Sequence, residues 1–258
     1  MAKTSRLSAA EIFDRVTSGA HDELDRPKHN LAFSGLAAGL SMGLSGMSVA
    51  VGLSVLGSSP GAEAISFLGY PLGFLVVILG RQQLFTENTL FPVALVLETR
   101  RHLASTGKLW ATVLFTNLLG ALLFAALAVV TSAIPEPVAA QLRILGTEAG
   151  DQGFTQVFWT AVVAGWMIAL VAWLVTASTS TSGQILVIVL LTYVVGLGHF
   201  AHSIAGSAEV LTAVLAGDLP VTSLLTWVSA AVLGNTVGGV VIVALFNYGQ
   251  VHGDDGRE

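Results

Sequence analysis

Six long apolar stretches, separated by short polar segments, run along this chain. They extend over residues 31–56, 65–97, 109–134, 154–177, 185–215 and 224–246. A helix needs about 20 residues to cross the hydrocarbon core of a bilayer, so four of the stretches fit one helix each. The second and fifth are too long for one straight helix, and each is interrupted near its middle. The pattern predicts an all-α membrane protein with six transmembrane helices, of which helices 2 and 5 are broken.

The polar segment ahead of the first stretch has the pattern of a surface helix. Ser8 and Glu11 fit a capping box, and Ile12, Phe13 and Val16 form a sparse apolar stripe after it. Such a helix lies on the membrane face, packs on a neighbouring subunit or remains a solvated arm. We therefore divide the chain into an N-terminal amphipathic helix at 1–30, a six-helix membrane domain at 31–247 and a C-terminal tail at 248–258.

Lysine and arginine are concentrated on one side of the predicted helices. They precede the first stretch, lie between the second and third, and recur in the tail, whereas the third–fourth connection offers only Arg143. The residues concerned are Lys3, Arg6, Arg15, Arg26, Lys28, Arg100, Arg101, Lys108 and Arg257. Because cytoplasmic loops carry the excess of positive charge, both termini are expected in the cytoplasm and the protein in the cell (inner or plasma) membrane.

Composition supports a lipid environment and excludes several functions. Of the 258 residues 53% are hydrophobic and only 10% charged, and mean hydropathy is +0.78, whereas soluble domains carry about 25% charged residues. No cysteine is present, the six histidines lack the spacing of a metal site, and no basic cluster indicates nucleic acid. Since no catalytic motif is found either, we predict a protein without metal or cofactor that is not an enzyme.

The two halves of the membrane domain share features in the same order. Asn117 and Gly120 in the third stretch are matched by Asn235 and Gly238 in the sixth, and the interruptions near Gly80 and Gly198 occupy the second and fifth. Three helices followed by three more start on opposite sides of the membrane. The pattern therefore predicts a 3+3 inverted repeat, with the transport site at the paired breaks. Coincidence is the alternative, because the shared motif is short.

His202 and Thr86 are the leading candidates for chemistry at the breaks. An ionisable side chain at membrane depth is by default a functional hypothesis, and His202 lies close to the second break among small residues. Thr86 is placed to cap the half-helix after the first break, whose positive end would favour an anion. The alternative for His202 is a neutral imidazole bonded to a backbone carbonyl. The residues alone leave the two readings open.

Three segments of the chain resemble the formate/nitrite transporter family. Leu84-Phe85-Thr86 with Asn88-Thr89 is similar to the family's segment in the loop that breaks the second helix. His202-Ser203-Ile204-Ala205 is similar to its central histidine motif, and residues 233–239, with Asn235, to its sixth-helix motif; Asn117 with Gly120 matches the third-helix counterpart. The resemblance covers the membrane region in the right order.

The resemblance implies an aquaporin-like fold and a homopentamer with one pore through each protomer. Leu84 and Phe85 would then help to form an apolar constriction, and Thr86, His202, Ser203 and Asn88 would lie at the pore. The implied partners are the lipid bilayer, protons and small monovalent anions such as formate, nitrite or hydrosulfide. We expect His202 to relay a proton to a weak-acid anion. The alternative is a channel for water or small neutral solutes, although neither break contains the Asn-Pro of water channels.

Several residues depart from the family's pattern or admit two readings. Gly165 stands before Trp166 where many members have Asn, Glu87 adds a carboxylate beside Thr86, and His199 adds a second imidazole. Arg81 and Glu87 are interpreted as a mutually neutralising pair rather than as an anion attractor, because membrane-buried charges usually pair. Two further expectations concern exposed groups. Glu63 and Glu209 are expected near the outer face in water, and Trp110, Trp159 and Trp227 as interfacial anchors.

Overall fold

The computed structural model describes residues 6–252, and its regular elements are helical throughout that range. The α-helices are α1 (Ala9–Leu24), α2 (Lys28–Leu56), α3 (Pro60–Ser66), α4 (Pro71–Leu79), α5 (Phe91–Glu98), α6 (Leu103–Val130), α7 (Glu136–Gly150), α8 (Phe154–Ala177), α9 (Thr181–Leu197), α10 (Ala205–Ala216), α11 (Val221–Val237) and α12 (Phe246–His252). Short 3₁₀ turns link α3 to α4, precede α5 and precede α6, and a π-helical stretch, Gly238–Leu245, joins α11 to α12.

The N-terminal helix α1 begins at the predicted capping box. The Ser8 backbone N–H donates to Glu11 Oε2 at 2.7 Å, and the Glu11 N–H donates to Ser8 Oγ at 3.2 Å. The apolar side of α1 is buried against α5 and α8, and the Phe13 ring meets His252 of α12 edge-on at 5.4 Å. The helix is therefore docked on its own chain and is not a solvated arm. It places α1 and α12 at the same end of the bundle, which we call the terminal end; Lys3 and Arg257 lie outside the described residues.

Five helices of the described range are long and apolar enough to cross a bilayer. They are Lys28–Leu56, Pro60–Leu79, Arg100–Val130, Phe154–Ala177 and Val221–His252, three of which combine α-helices with adjoining 3₁₀ or π-helical segments. The apolar helices α9 and α10 are shorter, with 17 and 12 residues, and a non-helical segment separates them. A second non-helical segment lies between α4 and α5. Both segments lie inside the bundle, because α4 packs on α9 and α10 packs on α2, α6, α7 and α11.

Glycines set the closest helix contacts in two matching places. A Cβ added to Gly39 of α2 would lie 2.7 Å from the Asn117 Cα of α6, and one added to Gly165 of α8 would lie 2.5 Å from the Asn235 Cα of α11. No side chain fits at such distances, so both helix pairs need glycine there. Small residues at such positions are the usual means by which membrane helices approach closely.

The helices α4 and α9 end with the same backbone motif. Arg81 and His199 adopt the left-handed conformation, with φ of 54° and 50°, one residue after a glycine. The Gln82 N–H donates back to Val77 O at 2.9 Å, and the Phe200 N–H donates to Val195 O at 3.0 Å. This is a Schellman termination, in which the left-handed position is normally glycine. A bulky residue there is uncommon and costs conformational energy, so tertiary contacts must hold both positions.

Candidate functional site

The two non-helical segments touch each other at a buried hydrogen bond. Thr86 Oγ1 and His202 Nε2 lie 2.9 Å apart, and the two residues expose 0% and 1% of their surface. Thr86 does not cap the following turn with its side chain, contrary to the sequence-based expectation. Its hydroxyl bonds to the imidazole across the bundle instead. The contact joins residues 116 positions apart in sequence.

The hydrogen bonds of His202 fix which ring nitrogen carries the proton. The Ala205 backbone N–H donates to His202 Nδ1 at 3.1 Å, so that nitrogen must present its lone pair. In the neutral ring the proton therefore sits on Nε2 and is donated to Thr86 Oγ1. The Phe74 ring meets the imidazole edge-on at 4.9 Å. His202 is thus bonded to the backbone N–H of the first residue of α10, and not to a backbone carbonyl as the alternative reading supposed.

Two buried asparagines hold the non-helical segments in matching ways. Asn117 accepts from the Phe85 N–H at 2.9 Å and donates to the carbonyls of Gln83 and Gly35, both at 2.8 Å. Asn117 is fully buried, so these bonds satisfy backbone groups that no helix ladder can reach.

Asn235 repeats this arrangement on the other side of the site. It accepts from the Ser203 N–H at 2.8 Å and donates to the carbonyls of Ala161 and Ala201, at 2.8 and 2.9 Å. The two asparagines therefore act as clamps that position Leu84 and His202, the residues just before the bonded amides. Their role in the structure is to anchor backbone.

A cavity opens on each side of the Thr86–His202 contact. The proximal cavity, about 350 Å³, lies toward the terminal end, and the distal cavity, about 70 Å³, lies on the other side. Leu84 lines the first and His202 the second, whereas Thr86 between them lines neither. The lining includes Arg15, Glu23, Arg81, Gln83 and Glu87 in the proximal cavity, and Tyr70, Glu148, His199, Glu209 and Trp227 in the distal cavity.

Among the other predicted site residues, only some face a cavity. Asn88 lines the proximal cavity and donates to Gln83 Oε1 at 3.1 Å. Phe85 lines neither cavity and instead packs edge-on against Trp110 at 5.8 Å. Ser203 is fully buried and lines neither cavity, and its hydroxyl has no hydrogen-bond partner among the described residues.

The charged residues at the breaks pair differently from the sequence interpretation. Arg81 and Glu87 share the proximal cavity, yet they form no ion pair in the structure of residues 6–252. Their charges are therefore not neutralised by direct contact. His199 Nε2 lies 3.0 Å from Glu63 Oε1 instead. The left-handed His199 is thus tied to α3.

Sequence reasoning missed four residues that shape the site. Phe74 gave no signal because it is one apolar residue among many, and the ring of the fully buried Trp227 was interpreted as an interfacial anchor. Trp110 is likewise engaged, since its Nε1–H donates to Asn88 O at 2.8 Å; of the three tryptophans only Trp159 is largely exposed, at 62%. Glu209 is partly buried and lines the distal cavity. A carboxylate inside an apolar stretch was the available signal.

Comparison with known proteins decides the family. A family model described as "Formate/nitrite transporter" matches residues 10–249. The chain belongs to the formate/nitrite transporter family. Inner membrane protein YfdC of Escherichia coli (strain K12) is 32% identical over 250 residues, which span 95% of this chain and 80% of that protein. A probable formate transporter of Methanothermobacter thermautotrophicus is 26% identical over 83% of this chain and 82% of its own length.

Solved structures of this family share the fold. An "FNT family ion channel" superposes with a TM-score of 0.82 at 17% identity, over 93% of this chain and 98% of that one. A "pentameric formate channel with formate bound" gives a TM-score of 0.71 at 19% identity, over 90% and 97%. As a member of the formate/nitrite transporter family with several apolar helices, the chain is an all-helical, multi-pass membrane protein for transport and not an enzyme.

One departure from the family's pattern has a direct structural reason. Gly165 replaces the asparagine expected before Trp166, and the structure leaves no room there for a side chain, because the Asn235 backbone lies against it. In this chain, position 165 therefore contributes no polar side chain near the Asn235 clamp.

Proposed function

We propose that this chain is a channel or transporter for small monovalent anions, such as formate, nitrite or hydrosulfide, and that its transport is linked to protons through His202. The single observation that carries the proposal is the Thr86–His202 hydrogen bond, which lies between two cavities on opposite sides. It supplies two polar hydrogens at the centre of an otherwise apolar wall formed by residues such as Leu84 and Phe74. Small anions are the ligands that such paired donors suit.

The proposed architecture is an aquaporin-like 3+3 inverted repeat of six spans, with the second and fifth broken. The matching Schellman ends at Arg81 and His199 and the matching clamps at Asn117 and Asn235 support it. The second span would comprise α3, α4 and α5, and the fifth α9 and α10. By the distribution of Lys and Arg, we place the terminal end in the cytoplasm of the cell membrane. The pentameric formate channel of the same fold supports a homopentamer.

The proposed path runs from the proximal cavity past Leu84 to Thr86 and His202, and on to the distal cavity. A bare anion in the dry passage between the cavities costs several kcal/mol of desolvation. The His202 Nε2–H and the Thr86 hydroxyl offset part of this cost by turning toward the anion. Leu84 serves as the apolar constriction, whereas Phe85 supports it from behind through Trp110.

The proton link through His202 has a defined structural requirement. Protonating a carboxylate of pKa ~4 from an imidazolium of pKa ~6.5 costs about 3.4 kcal/mol in water. A dry passage lowers this free-energy cost, because the transfer converts two charged groups into two neutral ones. An imidazolium also needs a proton on Nδ1. That nitrogen accepts the Ala205 N–H, so the ring must release this bond before it carries a second proton.

Uptake by proteoliposomes tests the proposal. Formate, nitrite and hydrosulfide are offered at two external pH values, and anion entry is followed together with lumenal pH. We expect wild-type protein to accelerate anion entry with protons, and His202→Phe to abolish the proton-linked part. His29→Phe, at an exposed position, is the matched control and should behave as wild type. Proton-linked uptake that survives in His202→Phe would refute the relay.

A channel for water or small neutral solutes is the second candidate. The observation that favours it is the distal cavity, whose lining contains Glu148 and Glu209 but neither Lys nor Arg. A fixed carboxylate repels an anion and leaves a neutral solute unaffected. Stopped-flow swelling of the same proteoliposomes, with and without formate, separates the two functions: osmotic water flow without anion entry supports the neutral-solute channel.

A further inference from the structure

A carboxylate shares the distal cavity with the central histidine. His202 lies three residues before α10, and Gly206 and Glu209 follow it at four and seven residues, a spacing that places side chains on one side of a helical segment. A hydrogen bond of helical spacing joins His202 to α10, because the Gly206 N–H donates to His202 O at 3.0 Å. Gly206 itself carries no side chain between the two groups, and the Trp227 ring covers it.

Glu209 forms no ion pair among residues 6–252. The ion pairs of residues 6–252 are Arg26–Glu23, Arg143–Asp218 and His199–Glu63, and none of them involves Glu209. Its side chain packs against Gly46 of α2, where an added Cβ would lie 2.8 Å from Oε1. A carboxylate in such a place is costly as an isolated charge and is more easily carried as the neutral acid.

Within the part of the chain that the structure describes, the groups around Glu209 supply no compensating cation. The distal cavity is lined by Tyr70 and Phe67 before α4, by Glu148 of α7 and by His199, which faces Glu63. On α7, Arg143 is already held by Asp218 at 2.7 Å. The other helices packed on α10 are α2, α6 and α11; their ionisable residues are Lys28, His29 and Lys108, near the N-terminal ends of α2 and α6. The proximal cavity differs, because Arg15 and Arg81 line it.

We propose that Glu209 is the proton-loading site of the distal cavity, which takes up a proton from the adjoining water and gives it, by way of His202, to an entering weak-acid anion. The proposal rests on the proton-linked transport proposed above and identifies where that proton enters. Loading removes the negative charge that would exclude the anion, so the same event opens the cavity to the anion and supplies the proton.

The transfer is balanced and nearly level in energy. The O–H bond of Glu209 breaks as an N–H bond forms on one ring nitrogen of His202, and the N–H bond on the other ring nitrogen breaks as an O–H bond forms on the anion's oxygen. Glu209 is left as a carboxylate and is reloaded from water in the distal cavity. A glutamic acid and a small carboxylic acid have similar ordinary pKa values, near 4, whereas an imidazole lies more than two units higher. The net transfer therefore runs between two groups of similar acidity, and His202 holds the proton only in passing.

The test compares proton and formate entry in proteoliposomes of the full chain. For wild type we expect one proton to enter with each formate, and uptake to rise as the external pH falls. For Glu209→Gln, which keeps size but cannot titrate, we expect proton-coupled uptake to fall by at least about tenfold and to lose its pH dependence. Glu209→Asp should restore the coupling. Glu136→Gln, at an exposed position of α7 outside the cavity, is the matched control and should retain it.

Infrared titration of the membranes provides a second readout that needs no transport. As pH falls, the carbonyl band of protonated carboxylic acids in wild type should contain a contribution that is missing from Glu209→Gln, seen in the difference between the two spectra, with size-exclusion chromatography reporting assembly. Wild-type coupling in Glu209→Gln, or an unchanged infrared titration, would overturn the proposal. If wild type carries none of the anions, the proposed function fails, and the infrared band alone then decides whether Glu209 loads a proton.

Discussion

Removing one asparagine clamp should weaken the whole fold, because a few buried hydrogen bonds hold each non-helical segment. Asn235→Leu keeps the approximate volume of the side chain but leaves three backbone groups without their partner: the Ser203 N–H and the carbonyls of Ala161 and Ala201. Asn235 is 0% exposed, so no water replaces the amide. Two of these groups lie on the segment between α9 and α10 and the third lies on α8, so the clamp holds that segment to α8.

The magnitude follows from the number of bonds. Interhelical hydrogen bonds in membranes contribute about 0.6 kcal/mol each on average, and a buried group left unpaired costs up to about 2 kcal/mol on typical estimates. For three bonds, we expect the free energy of unfolding to fall by about 2 to 6 kcal/mol. Asn117→Leu should lose a similar amount, because its three bonds are equivalent.

Reversible unfolding of the reconstituted protein in mixed micelles, followed by tryptophan fluorescence, measures this loss. Asn247→Leu is the matched control, since this partly buried asparagine makes a single bond within its own helix region, to Val243 O at 2.8 Å. It should change the free energy of unfolding by less than about 1 kcal/mol. If Asn235→Leu were as stable as Asn247→Leu, the clamps would not be what holds the non-helical segments.

Two further predictions concern the helix contacts and the N-terminal helix. Gly165→Ala should lower the free energy of unfolding by about 1 to 3 kcal/mol through overpacking against Asn235. Gly107→Ala is the control, because a Cβ there meets nothing within 4 Å, and it should be neutral or stabilising. Unfolding measurements on both variants check this. Ser8→Ala should raise amide exchange in the first turn of α1 by about fivefold, through the lost cap. The hydrogen bonds from Ser8 lower the pKa of Glu11, so the capping box is intact at neutral pH and is lost as pH falls below the ordinary glutamate range near 4. Amide exchange in the first turn of wild type should then approach that of Ser8→Ala. A difference in exchange between the two proteins that does not depend on pH would contradict this.

The two non-helical segments have matching backbone hydrogen bonds, but they differ in the side chain that each asparagine clamp positions. Each clamp accepts from one amide, that of Phe85 or Ser203, and the residue just before it is Leu84 in one segment and His202 in the other. Equivalent backbone positions therefore present an apolar side chain on the proximal side and an imidazole on the distal side. A symmetric scaffold thus supports a chemically asymmetric site.

The sequence by itself determined the helical membrane class and the positions of the important segments. Apolar length identifies membrane helices because lipid offers no hydrogen bonds, so the backbone must satisfy itself within each segment. The capping box of α1 could also be predicted, because Ser8 and Glu11 interact across only three residues of sequence. The motifs around Thr86 and His202 also marked the two segments that meet.

Only the tertiary structure decided what those residues bind. The Thr86–His202 bond and the clamps at Asn117 and Asn235 join residues that local pattern does not connect. The hydroxyl of Thr86 was expected to cap its own turn, but it bonds to His202 across the bundle. Local sequence fixes which backbone groups need a partner, whereas packing of distant helices determines which side chain provides it.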